Sequence, residues 1–94
     1  MILHIKKINY LGDYRVEVTF NNGKIGVADL SSALTGGVFE QLKNPLEFAK
    51  LSVDDELETI AWPNGADLAP EYVYFQAFRD EPELQAQFEA WGYI

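Results

Sequence analysis

The sequence predicts an α+β fold: an antiparallel three-stranded meander, a short helix, a second β-hairpin and two C-terminal helices. Three observations carry this expectation. β-Branched and aromatic residues alternate with polar ones at a period of two near the start of the chain. Glycine, asparagine and aspartate separate those runs as turn formers. Beyond residue 66, acidic residues and prolines open segments whose apolar residues recur at helical spacing.

Residues 2–10 read as the first strand, closed by the turn formers of Leu11-Gly12-Asp13. Tyr14, Val16, Val18 and Phe20 form the clearest apolar row, with Arg15, Glu17 and Thr19 between them. One face of that strand therefore meets a core and the other meets water. In Asn21-Asn22-Gly23 the Asn-Gly pair tolerates the positive φ angles of a two-residue hairpin turn, which makes residues 24–30 the antiparallel partner. Ser31-Ser32 is placed to cap a short helical turn, and Gly36-Gly37 breaks the chain before Val38-Phe39-Glu40-Gln41-Leu42.

Asn44-Pro45-Leu46-Glu47 joins an asparagine cap, a proline at the first helical position and a glutamate three residues on, predicting a short helix through Lys50. Residues 51–53 and 57–62 are short and β-prone, with Asp54-Asp55-Glu56 as the exposed turn of a second hairpin. Asp67 is placed to cap a helix that absorbs Pro70 in its first turn and runs to Phe78. Asp80-Glu81-Pro82-Glu83 repeats that logic for the last helix. Leu84, Phe88 and Trp91 share one face of it, and Gly92 ends it.

Ninety-four residues with 13 aromatic side chains suit one modest core, so residues 1–94 are expected to form a single domain. The absence of cysteine excludes a disulfide framework, a thiol nucleophile and a thiolate metal site, and it fits a reducing compartment. His4, Lys6 and Lys7 interrupt the N-terminal apolar residues, and no run reaches the ~18 apolar residues of a membrane helix. A cytoplasmic, non-membrane protein is predicted.

The net charge of −8 is unevenly distributed. Residues 1–50 are nearly neutral at +1, whereas residues 51–94 carry ten acids against Arg79 alone. That half repels phosphates, so a charged partner is expected to be basic.

Catalytic signatures are missing: there is no glycine-rich phosphate loop, no nucleophile elbow and no histidine pair at metal spacing. No catalytic residue, metal or cofactor is assigned. His4, the lone histidine, reads as structural or exposed, and Asp54, Asp55, Glu56 and Glu58 suit a solvated turn better than a calcium loop. The densest stretch is residues 62–71, where Pro63 stops a strand, Asn64-Gly65 turns, Asp67 caps and Trp62 covers the join. The functional alternative is that Trp62, Asn64, Asp67 and Glu71 converge on a small ligand.

These residues resemble a bacterial family catalogued as domain of unknown function 2442. The resemblance spans Tyr14-Arg15-Val16, Thr19-Phe20, Gly23, Asp29-Leu30, residues 37–42, and residues 62–68 with Pro70-Glu71. It implies a compact α+β fold and brings no established activity. Some members are similar to regulators with an added C-terminal helix-turn-helix domain, and others are small stand-alone proteins, which this chain resembles. Some of the latter lie beside a second small protein, an arrangement similar to toxin and antitoxin pairs.

The leading expectation is a non-enzymatic module that binds another protein, small and basic, through its acidic half. Tyr72, Phe88, Trp91 and Tyr93 would supply aromatic anchors, although the same rings are equally suited to fill a core. A ligand or enzymatic pocket at Asn64, Asp67 and Glu71 is the rival. A nucleic-acid role ranks third and requires His4, Lys6, Lys7 and Arg15 to form one patch. Self-association through Leu84, Phe88, Trp91, Tyr93 and Ile94 stays open.

Overall fold

A computed structural model describes residues 2–94. The period-two segments become strands β1 (Ile5–Gly12), β2 (Arg15–Phe20) and β3 (Ile25–Asp29), paired antiparallel in the order β1-β2-β3. Val16 and Val18 of β2 lie opposite Tyr10 and Ile8 of β1 and opposite Ala28 and Gly26 of β3. These residues share one sheet face, and Val16, Val18, Phe20 and Ala28 on it are buried. Lys7, Asn9 and Glu17 fall on the opposite, exposed face.

Two 3-10 segments, Ser31–Ala33 and Gly37–Lys43, lead to helix α1 (Pro45–Phe48). The second hairpin follows as β4 (Ser52–Asp54) and β5 (Thr59–Ala61). Helix α2 (Pro70–Phe78) then packs closely on β3, and a 3-10 turn at Pro82–Leu84 opens α3 (Gln85–Ala90). The α+β class and the order of elements are as the sequence predicts.

Both meander turns depart from expectation. The two-residue turn with positive φ at both positions lies between β1 and β2, at Asp13 (φ +52°) and Tyr14 (φ +62°). Tyr14 therefore leaves the strand row it was expected to head. Its unfavourable backbone is held by three contacts: its carbonyl accepts from Leu30 N at 2.9 Å, its hydroxyl donates to the Lys43 carbonyl, and its ring meets Phe48 edge-on at 5.0 Å. At Asn21-Asn22-Gly23 only Gly23 has positive φ, and Phe20 bonds both Gly23 N (3.0 Å) and Lys24 O (2.9 Å). This is a three-residue connection ending in a glycine bulge. Asn22 favours it because its side-chain oxygen accepts from Lys24 N at 3.0 Å.

Of the expected caps, Asn44 holds, accepting from Leu46 N at 3.0 Å. Glu47 pairs with Lys50 at 3.0 Å instead of closing a capping box. The turn after β3 is fastened by Asp29, which accepts from both the backbone and the hydroxyl of Ser31 (3.0 and 2.7 Å), and not by a serine cap. Asp67 does not cap α2, because residues 67 and 68 still run beside β5: Asp67 bridges to Ala61, and Leu68 N donates to Ile60 O at 3.2 Å. Asp80 caps nothing either. Gln85 makes the join at that end, its amide donating to the carbonyls of Arg79 (2.8 Å) and Glu81 (2.9 Å). Glu58 is no solvated turn residue: its carbonyl accepts from Ile5 N at 2.9 Å, and its carboxylate meets His4 Nδ1 at 2.7 Å, fastening the second hairpin to β1.

The core lies between the meander and α2, where Phe20 meets Tyr74 and Phe78 at 4.9 and 5.9 Å between ring centres. Gly26 permits this approach. A β-carbon there would lie 2.6 Å from Phe78 Cε1, a ring already wedged by Phe20 and Tyr74. Gly26→Ala is expected to destabilise the fold by about 1–3 kcal/mol, measured by denaturant unfolding, and Gly26→Ala with Phe78→Leu should recover part of that loss.

Candidate functional site

Residues 62–71 form a tight turn followed by a short extended piece that delivers the chain to α2. Trp62 N donates to Ala66 O at 2.9 Å, Gly65 N to Trp62 O at 3.1 Å, and Asn64 Oδ1 accepts from Ala66 N at 3.0 Å. Gly65 takes φ +92°, which favours glycine. Trp62 is buried, with its indole N–H donating to the Phe48 carbonyl at 2.9 Å and its ring against Phe48 and Phe39. The Asn64 amide donates to Val38 O at 3.0 Å and to Gln41 Oε1 at 3.2 Å. Trp62 and Asn64 thus join the hairpin to residues 38–48.

Asp67 and Glu71 are differently placed. The Asp67 carboxylate is exposed and has neither a hydrogen bond nor an ion pair among the described residues. It lines a shallow groove of about 400 Å³ whose other walls include Ser32, Thr35, Phe39, Leu68 and Tyr72. Glu71, half-buried on the first turn of α2, faces the C-terminal aromatic residues instead. Burial pushes the Tyr93 phenol above the usual tyrosine range, and the charge of Glu71 and the neighbouring Tyr72 add to it. The four residues expected to converge therefore divide: Asp67 lines the groove, Trp62 and Asn64 support it from behind, and Glu71 stands to one side.

Among the aromatic residues predicted to meet a partner, Phe88 is fully buried and packs on Phe75 at 5.1 Å between ring centres. Tyr72, Trp91 and Tyr93 are half-buried. Tyr93 stacks on Phe75 at 5.1 Å and meets Tyr72 at 6.0 Å. Trp91 meets Tyr74 at 6.0 Å and lines a separate hollow of about 300 Å³ with Leu3, Leu84 and Gln87. These rings hold the chain end on α2 and keep one edge open to solvent.

Electrostatically, the two halves of the chain barely neutralise each other. Of the ten acids in residues 51–94, only Glu58 pairs with a cation among the described residues, meeting His4 and, at 4.0 Å, Lys6. The basic residues are mostly engaged elsewhere: Lys43 with Glu40, Lys50 with Glu47, Lys24 over the Phe78 ring and Arg79 over the Phe75 ring. Asp29 is held below the usual carboxylate range by its two bonds from Ser31, with a smaller contribution from Arg15. Among the described residues no three His, Cys, Asp or Glu side chains group to hold a metal, and no helix is long and apolar enough to cross a membrane.

Ser32, Thr35 and Phe39 are groove residues that the sequence did not expose. They belong to a stretch without strand or helix periodicity, brought to Asp67 by long-range contacts such as the bonds from Asn64 to Val38 and Gln41 and the packing of Phe39 on Trp62. The single legible signal was the Gly36-Gly37 break beside an aromatic residue.

A three-stranded meander with a helix packed on it, a second hairpin and a shallow groove lined by Asp67 at the strand-to-helix junction define a small α+β protein. The chain belongs to the family described as protein of unknown function DUF2442, whose model matches residues 5–79. Its fold is similar to that of a Nitrosomonas europaea protein, NE0471, described as a putative DNA binding protein, with a TM-score of 0.75 at 15% identity. That similarity covers all of this chain, which spans 63% of the other protein's length. No curated protein matches the chain.

Trp62→Phe removes one of two donors to the Phe48 carbonyl, leaving Leu51 N at 3.2 Å, and shrinks a buried ring, so it is expected to cost about 1–3 kcal/mol, whereas Asp67→Asn should stay within about 0.5 kcal/mol of wild type; denaturant unfolding of both variants checks this. Because the folded state raises the Tyr93 pKa, the stability this group contributes is present below its unfolded value and is lost as pH rises past about 10. Glu71→Gln should bring the Tyr93 titration down toward the usual range, read by ultraviolet absorbance across the alkaline limb.

Proposed function

We propose that this chain is a non-enzymatic protein-interaction module that recognises a basic partner protein through its acidic half, in the manner of an antitoxin or a regulatory subunit. In this reading it acts as one domain in the cytoplasm and uses neither metal nor cofactor. The supporting observation is the set of unpaired acids: nine of the ten in residues 51–94 lack a cationic partner among the described residues. Their field would steer a basic protein to this half of the chain and set specificity, while the half-buried Tyr72, Trp91 and Tyr93 offer apolar contact within it.

A small-ligand site centred on Asn64, Asp67 and Glu71 has weaker support, because Asn64 is occupied with Val38 and Gln41 and does not line the groove. DNA binding is stated of the Nitrosomonas protein. Here it would need a phosphate-binding footprint, yet most of the cations are engaged with carboxylates or aromatic rings.

The test is charge reversal at exposed positions away from the core, Asp55→Lys, Glu83→Lys and Glu89→Lys combined. The wild-type chain is expected to retain a stoichiometric protein partner at physiological salt and release it at about 0.5 M salt. The triple variant, folded by circular dichroism, should bind at least about tenfold more weakly. A partner held equally well by both would refute recognition by the acidic half.

A further inference from the structure

We infer that the groove between the Ser31–Ala33 turn, Phe39 and the start of α2 receives an arginine side chain from an extended basic segment of the partner protein. This rests on the interaction-module reading and names the docking point within it.

The chemistry of the walls selects the occupant. Phe39 and Tyr72 present aromatic surface, Asp67 presents a carboxylate with no internal partner, and Ser32 and Thr35 present exposed hydroxyls. A guanidinium group matches that combination: its plane lies against an aromatic ring while its parallel N–H groups bond a carboxylate. A lysine ammonium would satisfy the charge but not the plane. At about 400 Å³ the groove exceeds one side chain and leaves room for the adjoining backbone of an extended segment.

The walls are fixed before anything binds. Asp67 is bridged to Ala61, and Leu68 N is bonded to Ile60 O, so the carboxylate stands on paired backbone. Phe39 meets Trp62 edge-on at 6.5 Å between ring centres, and the Tyr72 hydroxyl accepts from the Gln76 amide at 3.1 Å. The aromatic walls and the backbone beneath Asp67 are thus held in advance, which favours affinity from a small contact.

The other hollows lack this combination. The one of about 290 Å³ beside Val27 has a single ring, Phe78, and carries Arg79 in its lining beside Asp80 and Glu81, so an incoming cation meets a like charge there. The one beside Trp91 has no ionisable acid or base in its lining apart from the Tyr74 phenol. Of these three hollows, only the groove at Asp67 joins two aromatic side chains to a carboxylate with no cation in its lining, and Asp67 belongs to the half of the chain that carries a charge of −9.

The test is a nitrogen-15 NMR titration of the full chain at low salt with a blocked five-residue peptide bearing one central arginine. Matched peptides with lysine or citrulline, and free arginine, serve as the other arms. The assignment expects shifts concentrated at residues 32–39 and 67–72, lysine about threefold weaker, and citrulline and free arginine at least about tenfold weaker. Asp67→Asn, with an otherwise unchanged spectrum, should weaken the arginine peptide about tenfold and leave the citrulline peptide unaffected.

Shifts centred on residues 54–58 or 80–89, or equal binding by Asp67→Asn, would overturn the groove assignment and leave the acidic module standing. Free arginine binding as tightly as the peptide would identify a small-molecule site and overturn partner docking. The absence of any shift at millimolar peptide would also overturn it. Failure of the module reading itself is recognised separately, by a native partner that ignores the triple charge reversal.

Discussion

The closeness of α2 to β3 is the constraint on which the rest of the molecule depends. Without a β-carbon at Gly26, the Phe78 ring lies directly on the strand and Ala77 follows beside it. That approach lowers the helix onto the sheet, so Tyr74 and Phe78 pack on Phe20, and Val73 and Phe75 are buried in the same core cluster as Val16 and Val18. Dispersion and apolar burial both fall steeply with separation, so a helix held one methyl group further out would loosen every one of these contacts. The position of α2 in turn places Tyr72 at the groove, and it gives Phe88 and Tyr93 the Phe75 surface on which the chain end packs.

A second constraint is polar. Residues 36–48 form only a 3-10 segment and one short α-helical turn and bury only Leu42 and Phe48, too little apolar surface to fix their path. Hydrogen bonds from elsewhere supply what burial does not: Tyr14 to the Lys43 carbonyl, Trp62 to the Phe48 carbonyl and Asn64 to the Val38 carbonyl. All three use side-chain donors to bond main-chain carbonyls of this segment. The groove forms where this tied segment meets the end of β5 and the start of α2. Asn64 therefore supports the site although it does not line it.

The order of elements was legible in the sequence because it rests on local signals. Alternation in β2, proline near the start of each helix and the Asn44 cap are read within a few residues, and each appears where expected. The two meander turns were not legible, because the choice between them is made at long range. Tyr14 adopts a backbone that its own side chain disfavours, and Lys43, Phe48 and Leu30 hold it there. Asp67 reads as a cap by position, yet pairing with Ala61 keeps it in extended backbone until Ala69. The same diversion leaves its carboxylate unspent beside Phe39, a neighbour 28 positions away in the sequence.

The charge distribution is the feature that folding explains least. Unpaired acids crowded into 44 residues repel one another and oppose the compact state. Nothing in the core requires them, since the apolar contacts that hold α2 and α3 involve none of their carboxylates. A ligand that binds only the native chain adds stability as its free concentration rises above its dissociation constant. A basic partner would do so while relieving the repulsion, so the surface that most strains the isolated chain is also the one from which a complex would gain most. Residues 1–50, nearly neutral and with most of their cations already engaged, hold no comparable imbalance. The proposed recognition therefore draws its physical support from the charge of residues 51–94 and not from the nearly neutral residues 1–50.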